Sequence, residues 1–285
     1  MTISDYFSMT KPRLAMLNIV AAISGILMSR EAINIGESLL TTLFVSLLIA
    51  GAGALNCVME SEGDKWMSRT KARPLPSGRI SLLGATLFGS SLVIFGLIGL
   101  YYKVNALTFW LGILSVVSYV FIYTPLKRKS HLAVYVGAIP GALPPVLGYT
   151  SVTNVFDIMA ISLFLILFFW QIPHFLAISI YQAKDYEQGE IFVYPNVKGI
   201  KHTRFVMILF AVFTCVSGVL PYFVGFSNSI FLVAGLSLGL GFLYMNLKNI
   251  DNFIDNRDQL NSWAKKCFFA SIIYLPLLFG FMIIF

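Results

Sequence analysis

Apolar runs of about 20 residues recur along the whole chain, separated by short polar clusters. Their positions predict nine helices long enough to span a bilayer, at roughly 14–29, 39–60, 82–100, 106–124, 133–150, 156–180, 205–224, 228–247 and 266–285. A membrane β-barrel would alternate apolar and polar positions over segments of about 10 residues, and no such alternation is visible. The expected fold is therefore all-α: a polytopic membrane protein with nine transmembrane helices. No soluble domain, low-complexity tract or long linker interrupts the pattern, so residues 1–285 read as one integral-membrane domain. The first run follows Asp5 and carries no small-residue cleavage pattern, which makes it a retained span rather than a signal peptide.

Composition agrees with the pattern. The 285 residues are 58% hydrophobic and only 12% charged, against roughly a quarter charged in soluble domains. The net charge of +7 would suit nucleic acid, but its distribution has another cause. Of the 20 basic residues, all but Arg30 and Lys103 fall in alternate connections. The positive-inside rule makes that side cytoplasmic, with the N-terminus inside and the C-terminus outside. Topology thus accounts for the basic balance, and no nucleic-acid partner is expected. Cys57, Cys215 and Cys267 lie far apart and read as packing residues rather than metal ligands.

The chemistry gathers on the basic side. Asn56, Glu60 and Asp64 close the second run at a spacing of four, which lines them up on one helix face, a turn apart. Such oxygen donors suit a hard cation such as Mg²⁺. Arg69, Lys71 and Arg73 follow at once and serve either as a membrane anchor or as phosphate ligands. Pro74, Pro76 and Gly78 then turn the segment toward the third span. After the sixth run, Lys184, Asp185, Glu187 and Glu190 form a second mixed cluster, with Asp185 the strongest second metal ligand. Two such clusters suit a diphosphate gripped through bridging metal. Tyr123, Lys127 and Arg128 lie on the same side, again as anchor or as contacts to the diphosphate or an acidic substrate group.

Two further features lie within spans. In Trp170-Gln171-Ile172-Pro173-His174-Phe175, Pro173 leaves the Phe169 carbonyl without its helical partner, which predicts a kink or opening. A histidine inside a span is a functional candidate, with satisfaction by a neighbouring helix as its structural alternative. Gly141-Ala142-Leu143-Pro144-Pro145 reads as a kinked packing helix or as backbone lining a cavity. His131 and His202 fall in connections and read as ordinary loop residues.

Together these segments resemble the UbiA superfamily of intramembrane prenyltransferases, and within it the branch that farnesylates haem. The resemblance rests on Thr10-Lys11-Pro12-Arg13, the Asn56–Glu60–Asp64 row with Arg69-Thr70-Lys71-Ala72-Arg73-Pro74-Leu75, Tyr123-Thr124-Pro125-Leu126-Lys127-Arg128, Gly141 to Pro145, Trp170 to Phe175, and Lys184-Asp185-Tyr186 leading to Pro195. The acidic row marks the superfamily; the Tyr123, Gly141 and Trp170 strings are more specific to the haem branch. The resemblance implies nine helices around a central cavity, capped by the two acidic loops and open sideways to lipid. It implies Mg²⁺ as cofactor, farnesyl diphosphate and haem B as reactants, and haem O and diphosphate as products. It also implies a bacterial inner (cell) membrane, with haem-synthesis or oxidase-assembly proteins as partners. Asn56, Glu60, Asp64 and Asp185 would hold the metal, while Arg69, Lys71, Arg73 and Lys127 would neutralise the diphosphate and His174 would orient the haem. The chain departs from the family in the second loop. Glu190 stands where the family has glycine, Phe192 where it has proline, and the residue four after Asp185 is Gly189. Ala133 replaces an asparagine often found after the basic run. A UbiA enzyme acting on an aromatic acid or quinone precursor is the alternative within the family. A transporter is the alternative outside it, but transporters place coupling acids near the midplane and these lie at the edge.

Overall fold

The computed structural model describes residues 2–66, 70–248 and 256–285. Among them it contains only helices and their connections. In chain order the helices are α1 (Ile3–Met9), α2 (Pro12–Leu27), α3 (Ile35–Asp64), α4 (Leu82–Lys103), α5 (Ala106–Val116), a π-helical segment (Val117–Tyr123), α6 (Thr124–Leu126), α7 (Ala133–Thr153), α8 (Ile158–Tyr181), α9 (Ala183–Gln188), α10 (Tyr194–Gly218), α11 (Leu220–Phe223), α12 (Ser229–Leu247) and α13 (Arg257–Ile284).

Short polar residues start the long helices. Asn34, Ser81, Asn105, Asp157, Asn228 and Asn256 each accept from backbone N–H groups of the first turn, which satisfies donors that the helix itself leaves open. Seven helical stretches among the described residues are long and apolar enough to cross a membrane: Ile35–Asp64, Leu82–Lys103, Ala106–Leu126, Ile158–Tyr181, Tyr194–Phe223, Ser229–Leu247 and Arg257–Ile284. The first and fifth expected spans correspond to α2 and α7, which differ from these. With 16 residues, α2 spans about 24 Å at 1.5 Å per residue, short of the ~30 Å hydrocarbon layer. Prolines and glycines dilute the hydropathy of α7, whose residues 142–150 are all buried in protein. A helix covered by other helices does not need a lipid-compatible surface. The large exposed side chains lie instead on the outer helices, among them Leu17, Phe95, Trp110, Phe121, Leu240 and Ile273, as lipid contact requires.

Small residues set the tightest contacts. A Cβ at Gly148 of α7 would overlap the Ala22 carbonyl of α2, and one at Gly25 of α2 would overlap the Pro145 carbonyl. The two backbones therefore approach as closely as glycine permits. Gly51 of α3 meets Gly89 and Val93 of α4 in the same way. Around α8 pack α7, α10 and α13. At Pro173 the helix does not open, since α8 continues to Tyr181, and α7 likewise runs through Pro140, Pro144 and Pro145. Gln171 ties the two helices together by donating to the Ala138 carbonyl of α7 at 2.9 Å, and it also donates to the Leu167 carbonyl at 3.0 Å. The seventh expected span starts earlier than its apolar run, at Tyr194, with a change of direction at Gly199, whose φ is +78°.

Candidate functional site

The four-residue spacing at the end of α3 becomes a buried polar row. Asn56, Glu60 and Asp64 are 1%, 5% and 4% exposed, so the helix turns them into the protein rather than toward lipid. Asn56 donates through Nδ2 to Glu60 Oε1 and, at 2.8 Å, to Thr124 Oγ1. Glu62, between them in sequence, points outward and pairs with Lys65 at 2.8 Å.

Four cations face the row. Lys11 donates to Asn56 Oδ1 and lies 4.0 Å from Glu60. Lys127 pairs with Glu60 Oε1. Arg73 pairs with Asp64 at 2.7 Å and lies 3.8 Å from Glu60. Arg128 donates to the Glu60 carbonyl at 3.2 Å, across a surface that Gly63 keeps clear. Four cations against two carboxylates leave the cluster in positive excess, which suits an anionic ligand. Burial pushes the Lys127 ammonium below the usual lysine range, against the pull of Glu60. At Lys11 the same burial is outweighed by the Tyr119 hydroxyl and the Glu60 carboxylate, which hold its ammonium above that range.

Local backbone geometry aims these groups. Lys11 caps α2 with a left-handed φ of +52°, just before Pro12, a conformation uncommon outside glycine. Lys127 follows the π-helical segment, in which Tyr119 and Tyr123 stack at 5.7 Å. The backbone N–H and side-chain hydroxyl of Thr124 both donate to the Tyr119 carbonyl. Wide turns of this kind occur often at functional sites. Here the turn brings Thr124 to Asn56 and Lys127 to Glu60. The loop after α3 folds back over the row, with the Thr70 hydroxyl donating to the Asp64 carbonyl at 3.1 Å and Arg79 pairing with Asp5 of α1 at 2.9 Å.

The second cluster lies beside the first without merging with it. The Phe192 N–H donates to the Lys127 carbonyl at 3.1 Å, docking the second loop on the basic segment. Asp185 and Lys184 line a cavity of about 470 Å³ with Tyr181, Gln182, Arg257, Asp258 and Asn261; Asn56, Glu60 and Asp64 do not line it. Lys71, Lys184 and Glu187 are exposed, and Tyr123 is half-buried. Arg69 lies outside the described residues. Among the described residues, no three His, Cys, Asp or Glu side chains converge on one metal position. The first row offers two carboxylates and an amide, all hard oxygen donors one turn apart. That set fits Mg²⁺, which takes one or two carboxylates and leaves further positions to substrate phosphates.

Within the bundle, His174 Nδ1 lies 2.7 Å from Ser271 Oγ of α13. Tyr194 stacks on His202 at 5.7 Å and meets His131 edge-on at 4.9 Å. Sequence reading assigned no site role to Lys11, Tyr119, Thr124 or Ser271. Lys11 and Thr124 lie in the Thr10–Arg13 and Tyr123–Arg128 strings, where the Lys-Pro and Thr-Pro pairs were the available signal, and Tyr119 lies one turn before the second string. Ser271 carries no signal of its own.

Apolar helices that end in a buried cluster of carboxylates and cations define an intramembrane enzyme for a phosphate-bearing substrate. Residues 17–273 match the model of the UbiA prenyltransferase family, and the chain belongs to that family. It is 38% identical over 277 residues to the protoheme IX farnesyltransferase of Myxococcus xanthus, covering 97% of this chain and 92% of the relative. Its fold matches the solved structure of a digeranylgeranylglyceryl phosphate synthase with a TM-score of 0.81 at 18% identity, over 99% of this chain and 97% of the other. A UbiA homolog from Archaeoglobus fulgidus, solved bound to DMAPP and Mg²⁺, matches with a TM-score of 0.68 at 13% identity, over 95% and 99% of the two chains.

Proposed function

We propose that this chain transfers a farnesyl group from farnesyl diphosphate to a vinyl group of haem B, giving haem O and diphosphate. The observation that carries the reading is the buried Asn56–Glu60–Asp64 row with cations in excess around it. Its similarity to a protoheme IX farnesyltransferase over nearly the whole chain supports haem as the acceptor.

Asn56, Glu60 and Asp64 hold Mg²⁺, with Asp185 contributing from the facing loop. When bound, the metal stabilises negative charge on the departing diphosphate. Lys11, Arg73 and Lys127 exchange their carboxylate partners for diphosphate oxygens, joined by Arg69, Lys71, Arg128 and Lys184. These donors act where charge develops as the bond breaks, which is the usual source of the largest catalytic contribution. The C1–O bond of the allylic chain breaks, and the electron pair leaves with the diphosphate. The haem vinyl carbon bonds to C1, water adds at the carbon beside the porphyrin, and one proton is released. Tyr123 and Tyr119 shield the developing allylic cation with their ring faces, which attract cations without capturing them. Glu187 and Lys184 border the entry on the loop side, and His174 orients the haem from within the bundle. The chain crosses a bacterial inner membrane nine times, counting α2 and α7 as spans. Its N-terminus and acidic loops are cytoplasmic and its C-terminus is outside, as the charge asymmetry indicates.

The test is direct. Purified protein given haem B, farnesyl diphosphate and Mg²⁺ yields haem O by mass spectrometry, and Asn56→Ala or Asp64→Ala abolishes it while leaving insertion intact. A product formed only with a phenolic acid would replace the acceptor. Protein-dependent haem or ion flux in liposomes, with no product, would replace the reaction class.

A further inference from the structure

Trp170 and His174 lie one turn apart on α8, and both reach a single residue of α13. Trp170 Nε1 donates to the Ser271 carbonyl at 2.8 Å, and His174 Nδ1 lies 2.7 Å from Ser271 Oγ. A serine hydroxyl has one proton. The Phe268 carbonyl, which can only accept, lies 2.5 Å from the same hydroxyl and is the shorter of its two contacts. With the proton committed to that carbonyl, the hydroxyl offers His174 only lone pairs, and Nδ1 carries the ring proton.

In a neutral imidazole the other nitrogen, Nε2, is then bare. A doubly protonated ring is excluded on cost, because no carboxylate pairs with His174 among the described residues and an uncompensated charge inside a span is expensive. Nε2 has no hydrogen-bond partner among the described residues. Two aromatic rings flank the imidazole: Trp170 stacked at 4.9 Å and Phe268 tilted at 4.9 Å. A fixed, bare imidazole nitrogen between aromatic faces suits the iron of a flat aromatic macrocycle.

We infer that Ser271 is a positioning residue for the haem substrate: by accepting the Nδ1 proton it locks His174 in the tautomer whose Nε2 faces the iron. This rests on the haem reading above and specifies which atom does the orienting and what orients that atom. Ser271 is fully buried, so it acts only through His174. Outer partners of this kind commonly change metal affinity or activity by about 10–100-fold.

Two readouts test it. In ¹⁵N-histidine-labelled protein, the His174 resonances, assigned by their loss in His174→Ala, show protonated Nδ1 in wild type. Ser271→Ala shifts them to protonated Nε2, and Ser271→Thr, which keeps the hydroxyl, restores the wild-type pattern. In haem B titrations followed by absorption, wild type and Ser271→Thr give a nitrogen-ligated spectrum that His174→Ala lacks. Ser271→Ala weakens binding by roughly tenfold or more. A wild-type ring protonated at Nε2 would overturn the inference, as would a Ser271→Ala variant with unchanged tautomer and unchanged haem affinity. The two levels separate cleanly. Haem O formed with identical haem spectra in wild type and His174→Ala sinks the ligation and leaves the reaction standing. Nitrogen-ligated haem with no haem O formed does the reverse.

Discussion

At the residue scale, Glu60 carries the most opposed charge, since Lys11, Lys127 and Arg73 all face it. Glu60→Gln keeps the shape and removes the compensation. Leaving buried cations unpaired costs about 3–5 kcal/mol, so the variant should unfold at a clearly lower temperature in detergent and lose turnover. Glu62→Gln, whose side chain is 80% exposed, should shift stability by less than about 0.5 kcal/mol. A midpoint for Glu60→Gln equal to that of Glu62→Gln would show that the cluster contributes nothing to stability. Glu190 illustrates the opposite situation. It holds a left-handed φ of +53°, the region that favours glycine. Glycine takes that conformation without a Cβ penalty, so Glu190→Gly should stabilise the chain by roughly 1 kcal/mol. A lower unfolding midpoint would mean that the glutamate side chain makes up for its strained backbone.

At the scale of elements, what was legible depended on whether the cause was local. The apolar runs located the helices because lipid contact acts on every residue of a span. The Asn56–Glu60–Asp64 row was legible because a spacing of four is one turn of one helix. Two of its partners were not, because Lys11 and Thr124 meet Asn56 across 45 and 68 positions of sequence. The π-helical turn that aims Lys127 left only Pro125 as a trace. The helix stays continuous through Pro173, because a proline removes one backbone bond while the packing of α7, α10 and α13 around α8 holds the remaining turns in place. The α2–α7 contact gives the prediction that belongs here. Gly148→Val would drive a side chain into the Ala22 backbone, which has no flexible end to move aside. The two helices must separate, and a drop in folded yield and unfolding temperature should follow. Gly241→Ala, on α12 with open space where its methyl would go, should leave both unchanged. Equal yields for the two variants would mean that the α2–α7 approach is not needed.

At the scale of the molecule, the site joins parts that are far apart in the chain. The N-terminal cap of α2, the end of α3 with its loop, the π-helical turn and the docked second loop meet at one end of the bundle. Each carboxylate there is already matched by a cation, and the cluster still carries positive excess. Farnesyl diphosphate alone would satisfy that excess but would face Glu60 and Asp64 with like charge. Mg²⁺ alone would compete with Lys11, Lys127 and Arg73 for the same oxygens. Only the two together place metal on the acids and phosphate oxygens on the bases. Their stabilisation should therefore be cooperative. With farnesyl diphosphate at about 100 times its Kd, the native state gains about 2.7 kcal/mol, read as a raised unfolding midpoint when Mg²⁺ is present. Either component alone should give a much smaller shift, and a chelator should reverse the combined one. Asp64→Asn should lose the dependence on Mg²⁺ while retaining the weak effect of the diphosphate. An equal shift with farnesyl diphosphate in the presence of a chelator would show that the bases bind the substrate unaided, and the acidic row would then need a different role.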